Sequence, residues 1–234
     1  MGGMLALLYD IHGNLPALEA VLVDAGEQGA ERYFIGGDVA LFGPWPQETV
    51  GRLRELAPAT WIRGNGERWT ADPDAAPEPV RSAIAAAHEA LGDALVGQLA
   101  GLPESAVIDA RTRAWHGSPV SDVRSFEPEP AHDEAELLAG VRESRLVFGH
   151  THLPFARTSP VVDVELVNPG SVGMPFDGDH RAAYALVRDD GMVEHRRVAY
   201  DHGASAAALR ERYGDASWIE LPEYRFAHAR AGPP

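Results

Sequence analysis

The chain has 234 residues, 45% of them hydrophobic and 24% charged, the ordinary make-up of one globular domain. Its formal net charge of -15 argues against the basic field that holds duplex nucleic acid, although bound metal is not counted in that sum and a local positive site stays open. There is no cysteine, which removes disulfides, thiolate zinc sites and thiol catalysis.

The opening, MGGMLALLYDIHGN, has no basic segment, and its apolar run is too short for export or for crossing a membrane. Ala6 also breaks the myristoylation pattern, so the cytoplasm is the expected compartment. MLALLY reads as a strand buried on both faces. Asp10 and His12, at i and i+2, are expected to leave its end side by side. NLPALEAVLVDAG places Leu15, Leu18, Leu22 and Ala25 on one helical face, with Asn14 as N-cap, Pro16 in the first turn and Gly26 at the end.

RYFIGGD is a second strand, PQETVGRLREL a second helix and ATWIRGN a third strand, an alternation that predicts a parallel α/β sheet. Residues 70–104 are rich in proline and alanine. They predict one helix over EPVRSAIAAAHEALGDALVGQLAGL, either a cap-like segment over the sheet edge or a plain covering helix. AVIDARTRAWHGSP, RLVFGHTH, VVDVELVNPGS, RAAYALVRDD and MVEHRRVAY then predict strands of a second sheet, some antiparallel. One more helix, ASAAALRERYG, and a loose, Pro-ended tail complete a single domain over 1–234.

Polar residues follow the apolar strands: Asp10 and His12, Asp38, Asn65, His116, and His150 with His152. Ligands of open α/β sheets bind at the carboxyl ends of strands. Five strands thus deliver seven O and N donors to one rim, and Asp10 and His12 read as two ligands of a metal site. Burying so many ionisable groups without a metal is costly.

DIHGN, GGD, GNGE, HGSP and GHTHLP, in this order and followed by NPGSVG, resemble the calcineurin-like metallophosphoesterases, in particular their small phosphodiesterase-like branch. The resemblance implies an α/β fold, a four-layer α/β/β/α sandwich of two mixed sheets flanked by helices. It also implies that Asp10, His12, Asp38 and His152 hold a first ion, while Asp38 bridges to a second held by Asn65, His116 and His150. Such donors suit Mn²⁺ first, and Fe, Zn²⁺, Ni²⁺ or Co²⁺. Two ions about 3.5–4 Å apart bind a bridging water, lower its pKa toward neutrality and clamp the phosphoryl oxygens that the resulting hydroxide attacks. Two aspartates against two divalent ions leave a net positive cluster, to which a helix starting near Asn14 would add its positive end.

Many relatives carry a histidine after the GN asparagine, where it protonates a leaving alkoxide; here that place is Gly66. Without such an acid an alkyl group is harder to expel, typically by about 10²–10⁴-fold. This favours activated diesters and phosphoanhydrides, dinucleotide polyphosphates included. The alternatives are a phosphomonoesterase with another proton donor and a non-catalytic interaction scaffold; the complete ligand set speaks against the scaffold. Asn14, Gly66, His180 and Arg181 are the candidate substrate contacts, and the loops 66–80, 117–132 and 173–181 set substrate choice. His88 lies on the stripe Val80, Ile84, His88, Leu91 and reads as a core or edge residue, and His132, His195, His202 and His228 as surface. Ser171 lacks the hydrolase elbow. The expected partner is a small phosphorylated substrate, with no membrane, and the oligomeric state is left open.

Overall fold

The computed structural model describes residues 3–233. Strand β1 (Met4–Leu8) sorts two cores by simple alternation. Ala6 and Leu8 face one core and Leu5 and Leu7 the other, so both of its faces are covered. The first core lies beneath helix α1 (Leu15–Glu27), which buries Ala17, Leu18, Val21, Leu22 and Ala25. The second lies between two sheets, where Leu5, Leu7 and Phe34 meet Ala114, Val147 and Val167. Each large aliphatic side chain fully buried there contributes about 1.5–3 kcal/mol.

In the first sheet β1 pairs in parallel with β2 (Ala30–Ile35), and β2 with β3 (Ala59–Trp61). Helix α2 (Pro46–Arg54) makes the crossover between the last two. α1 runs one residue past Gly26, and it is Gly29, at φ +86°, that turns the chain into β2.

In the second sheet β4 (Ser105–Val107), β5 (Thr112–Trp115), β6 (Arg145–Val147), β7 (Phe155–Thr158) and β8 (Glu165–Asn168) stand in the order β4-β5-β6-β8-β7. β5, β6 and β8 are parallel, and both outer strands are antiparallel to their neighbours. β7 follows the GHTHLP stretch and was not among the expected strands. On the outer face of this sheet Leu146 and Leu166 pack with Phe126 and Phe148 from the adjoining loops, covered by the single turn of α6 (Glu134–Leu137) and its flanking loops.

Two expected strands fall elsewhere. β9 (Ala182–Val187) and β10 (Val193–Val198) join the first sheet, β9 antiparallel to β1 and β10 antiparallel to β9. The reason is burial. β9 sends Ala182, Tyr184 and Leu186 under α1 and Ala185 and Val187 between the sheets, which only a middle strand can do.

The 70–104 segment is not one helix. α3 (Asn65–Ala71) precedes it, and α4 (Arg81–Leu91) and α5 (Asp93–Ala100) divide at Gly92, whose φ of +75° ends α4. These helices form a covering layer beside α2, and Leu91, Val96 and Leu99 enter the first core. The tail expected to be loose follows α7 (His202–Tyr213) and folds into α8 (Glu220–His228). Its Phe226 packs with Ile219, Met174 and Leu209 in a small core of its own. Among the described residues no helix is long and apolar enough to cross a membrane.

Candidate metal centre

Six of the seven expected donors lie in the loops after β1, β2, β5 and β6 and the seventh opens the helix that follows β3, so both sheets feed one rim. Asp10 and His12 do not meet by strand alternation, because β1 ends at Leu8. The backbone itself turns left-handed at Asp10 (φ 52°), His12 (50°), Asp38 (52°), His150 (69°) and His152 (60°). Non-glycine residues adopt this conformation at a cost of about 1–3 kcal/mol and cluster in it at functional sites. Asn65 is not a strand end either; it opens α3. Six of the seven are buried, and His150 is half-buried.

The ring orientations are fixed from behind. His12 Nδ1–H donates to Leu41 O at 2.9 Å, His116 Nδ1–H to Gly36 O at 2.9 Å, and His152 Nδ1–H to Met174 O at 2.5 Å. A carbonyl only accepts, so in each neutral ring the Nε2 lone pair is free and faces the centre. His12 Nε2 and His152 Nε2 lie 3.2 Å apart. Asp10 Oδ1 is buried without any hydrogen bond, 3.5 Å from His152 Nε2 and 3.8 Å from His116 Nε2. One end of the Asn65 amide is 3.1 Å from His116 Nε2 and 2.9 Å from His150 Nδ1.

Lone pairs converging on an unbonded carboxylate oxygen fit divalent cations. Asp10, His12 and His152 bring their ligand atoms within 4.8 Å of one another, and so do Asp10, Asp38 and His116. Asp10 thus belongs to both groups and Asp38 to the second.

Protonation follows burial and neighbours. Burial pushes the Asp10 carboxyl up to about 7 against the pull of His116, with Asp38 adding to the rise. Burial depresses His12 and His150 to about 4 and His152 well below its ordinary value, which leaves these rings neutral. His116 goes the other way: burial opposes its charge, but Asp38 and Asp10 outweigh it and hold the ring above the usual histidine value. Burial also opposes the Asp38 charge, and His116 and His12 overcome it to keep that carboxyl low.

Glu67 was missed as a site residue. Its buried carboxylate accepts from Asp38 N at 2.9 Å, Val39 N at 2.8 Å and Gly64 N at 2.7 Å, clamping the Asp38 loop to the start of α3. The signal was there, as the last letter of GNGE, three residues into a helix and placed to bond back to its start. Ser171 donates to Asp10 O at 2.7 Å and accepts from Met174 N, so this serine holds loops together and is no nucleophile. Asn168 and Gly170 make a tight turn, with Gly170 N donating to Asn168 Oδ1.

The expected substrate contacts are placed differently. Asn14 is fully buried: it accepts from Ala17 N and Ser205 Oγ and donates to Gly173 O and Tyr200 Oη. It caps α1 and leaves nothing for a substrate, and the same bonds cover the positive end of the helix. Gly66 is buried, its N–H donating to Asp38 Oδ1 at 2.7 Å, so it serves that carboxylate. His180 and Arg181 line a separate depression with Tyr200 and His202; the His180 ring accompanies Ala227 O and His202, and Arg181 pairs with Asp179. Instead, a cavity of about 390 Å³ opens beside His116, lined by Arg63, Arg68, Trp115 and residues 117–123. Arg68 grips Asp122 there through two bonds of 2.6 and 2.7 Å. His88 bonds Thr70 O and Asp93, away from the centre.

Residues 4–191 match the calcineurin-like phosphoesterase superfamily domain, and the chain belongs to that family of divalent-metal-dependent phosphoester hydrolases. Phosphodiesterase YfcE of Escherichia coli K12 is 30% identical over 202 residues, which cover 80% of this chain and 89% of YfcE. Uncharacterized protein MJ0912 of Methanocaldococcus jannaschii is 28% identical over 241 residues, covering 94% of this chain and 95% of that one. The crystal structure of a metallophosphoesterase from Sphaerobacter thermophilus aligns with a TM-score of 0.82 at 29% identity, over 98% of this chain and all of that one.

Proposed function

We propose that the chain is a dinuclear metal-dependent phosphoesterase that hydrolyses phosphodiester or phosphoanhydride bonds in small molecules or nucleotides, with Mn²⁺ as the first candidate ion. One observation carries this reading: carbonyl-fixed imidazoles and an unbonded Asp10 oxygen meet at one point with their lone pairs inward. Asp10, His12, Asp38 and His152 would hold one ion, and Asp38, Asn65, His116 and His150 the other. When bound, such ions supply Lewis acidity toward phosphoryl oxygens and acidify water.

The chain's own residues supply the rest. Leu41, Gly36 and Met174 carbonyls hold three rings in their ligating tautomer, and Glu67 fixes the Asp38 loop. The cavity beside His116 receives the leaving group, with Trp115 offering an aromatic face. Gly66 has no side chain to lend a proton, and its N–H is engaged by Asp38. That favours leaving groups that depart unprotonated, aryl oxides and phosphates. The name of the YfcE relative, a phosphodiesterase, points the same way.

The test is a matched series with purified, Mn²⁺-loaded protein: an aryl diester, a nucleotide anhydride and an alkyl monoester. The first two should turn over at least about tenfold faster than the third. Preference for the alkyl monoester would replace this reading with a phosphomonoesterase that has its own proton donor. Absence of turnover on all three would favour the scaffold.

A further inference from the structure

Helix α8 places one arginine against the metal centre from outside the domain that the family defines, since the family match ends at residue 191. The Arg225 guanidinium lies 5.1 Å from the Phe176 ring centroid and 5.9 Å from that of Phe42. Phe176 stacks on the His152 ring at 4.1 Å, and Phe42 lies 5.8 Å from the His12 ring. Each of the two rings thus touches both this cation and one proposed ligand.

What Arg225 lacks is as telling. The chain has 35 acidic residues, and all 20 of its basic residues are arginines. On neighbouring elements Arg210 pairs with Glu223 and Arg212 with Glu48. Arg225 is half-buried, yet among the described residues no carboxylate pairs with it. Its Nε–H donates to Ala231 O at 2.9 Å, and neither terminal nitrogen has a protein acceptor among the described residues. Burial lowers its pKa from the ordinary value, which fits a cation held out of water without a partner. In so acidic a chain a partly desolvated arginine without a carboxylate keeps its fork open for an anion from outside.

We propose that Arg225 is an anion-binding residue of this centre, taking an ionised phosphoryl oxygen of the substrate on the His12–His152 side. It thereby selects substrates with a second ionised phosphoryl group, phosphoanhydrides first, over diesters whose other arm is uncharged. The identity of the substrate class rests on the hydrolytic reading above; the anion site itself does not.

The variants are Arg225→Met, which keeps an apolar stem between the two rings, and Arg225→Lys, which keeps charge but loses the fork. Two readouts are used: kcat/KM on a nucleotide anhydride and on an aryl methyl diester, and calorimetric binding of inorganic phosphate to the Mn²⁺-loaded protein. Arg225→Met should lose about tenfold or more on the anhydride and on phosphate affinity, and about twofold or less on the diester. Arg225→Lys should recover part of both losses. Equal loss on the two substrates, or unchanged phosphate affinity, overturns the proposal. If the Met variant does not fold, the Lys variant decides by the same comparison, a smaller loss confined to the anhydride and phosphate being expected. Wild-type protein that cleaves no phosphoester but binds phosphate through Arg225 would end the hydrolytic reading and leave this site standing.

Discussion

Glu67 touches no proposed metal ion, yet it accepts three backbone N–H bonds that decide where Asp38 sits. Glu67→Gln keeps the shape but turns one acceptor oxygen into a donor, leaving at least one buried N–H unmatched. Mn²⁺ affinity is expected to fall by roughly 10–100-fold, as when outer partners of metal ligands are lost; competition with a fluorescent chelator measures it, and an unchanged affinity would refute the clamp. Gly66 works on the same carboxylate. A Cβ built there lies 2.8 Å from Asp38 Oδ1, so any side chain at this position must first displace that carboxylate. Protons compete for these groups as well. Asp10 holds its proton up to about 7, and His116 above the usual histidine value, so a cation must expel protons to bind. Both groups titrate in the same sense: lowering the pH fills them and weakens metal binding, and raising it empties them and strengthens binding. Mn²⁺ titrations at about pH 6 and pH 8 should show weaker uptake at the lower value, with proton release in weak buffer. Equal affinity at both would mean that Asp10 and His116 are not ligands.

α1 shows what a cap can do beyond starting a helix. Asn14 fills all four of its hydrogen-bonding positions within the chain, tying the His12 loop to Gly173, Tyr200 and Ser205. Asn14→Ala should lower stability by about 1–3 kcal/mol, from the lost cap and the stranded partners, while the KM for a model diester stays within about twofold. Urea melts and kinetics check it together; a large change in KM with unchanged stability would restore Asn14 as a substrate contact. The cap was legible in the sequence because Asn before an apolar 3.6-residue period has a local cause. β1, β2, β3 and the helices between them were legible for the same reason. The places of β9 and β10 were not, because alternation reports which faces are buried and not which strand lies alongside. α8 was hidden by its weak periodicity, and the α4–α5 break by a single glycine inside an otherwise good helical pattern. That the seven candidate donors gather at one rim could be read from their positions after strands, but not the left-handed turns that aim five of them, since only the neighbouring Gly13, Gly37 and Gly149 hint at unusual backbone.

Across the whole molecule, strained loops from both sheets meet at one buried cluster of lone pairs, so cation binding and folding are linked. An ion at a thousandfold excess over its dissociation constant adds about 4 kcal/mol to stability. For a domain of this size that corresponds to roughly 8–16 °C in Tm. Chelator-treated protein should melt lower by about that interval and recover on adding Mn²⁺, as read by circular dichroism. Complete metal removal without a shift would mean that the centre is built without help from the ion. The pairing of β1 with β9 also has a consequence in time. Leu5 lies opposite Val187, so the middle strand of the first sheet is translated long before its antiparallel neighbour. At about 5–20 residues per second this leaves an open edge of leucine and alanine waiting for roughly 10–35 s on each ribosome. Nascent chains are therefore sticky until residue 187 has cleared the exit tunnel, and a chain halted at residue 181 should be recovered with chaperones or in aggregates, not as a folded fragment.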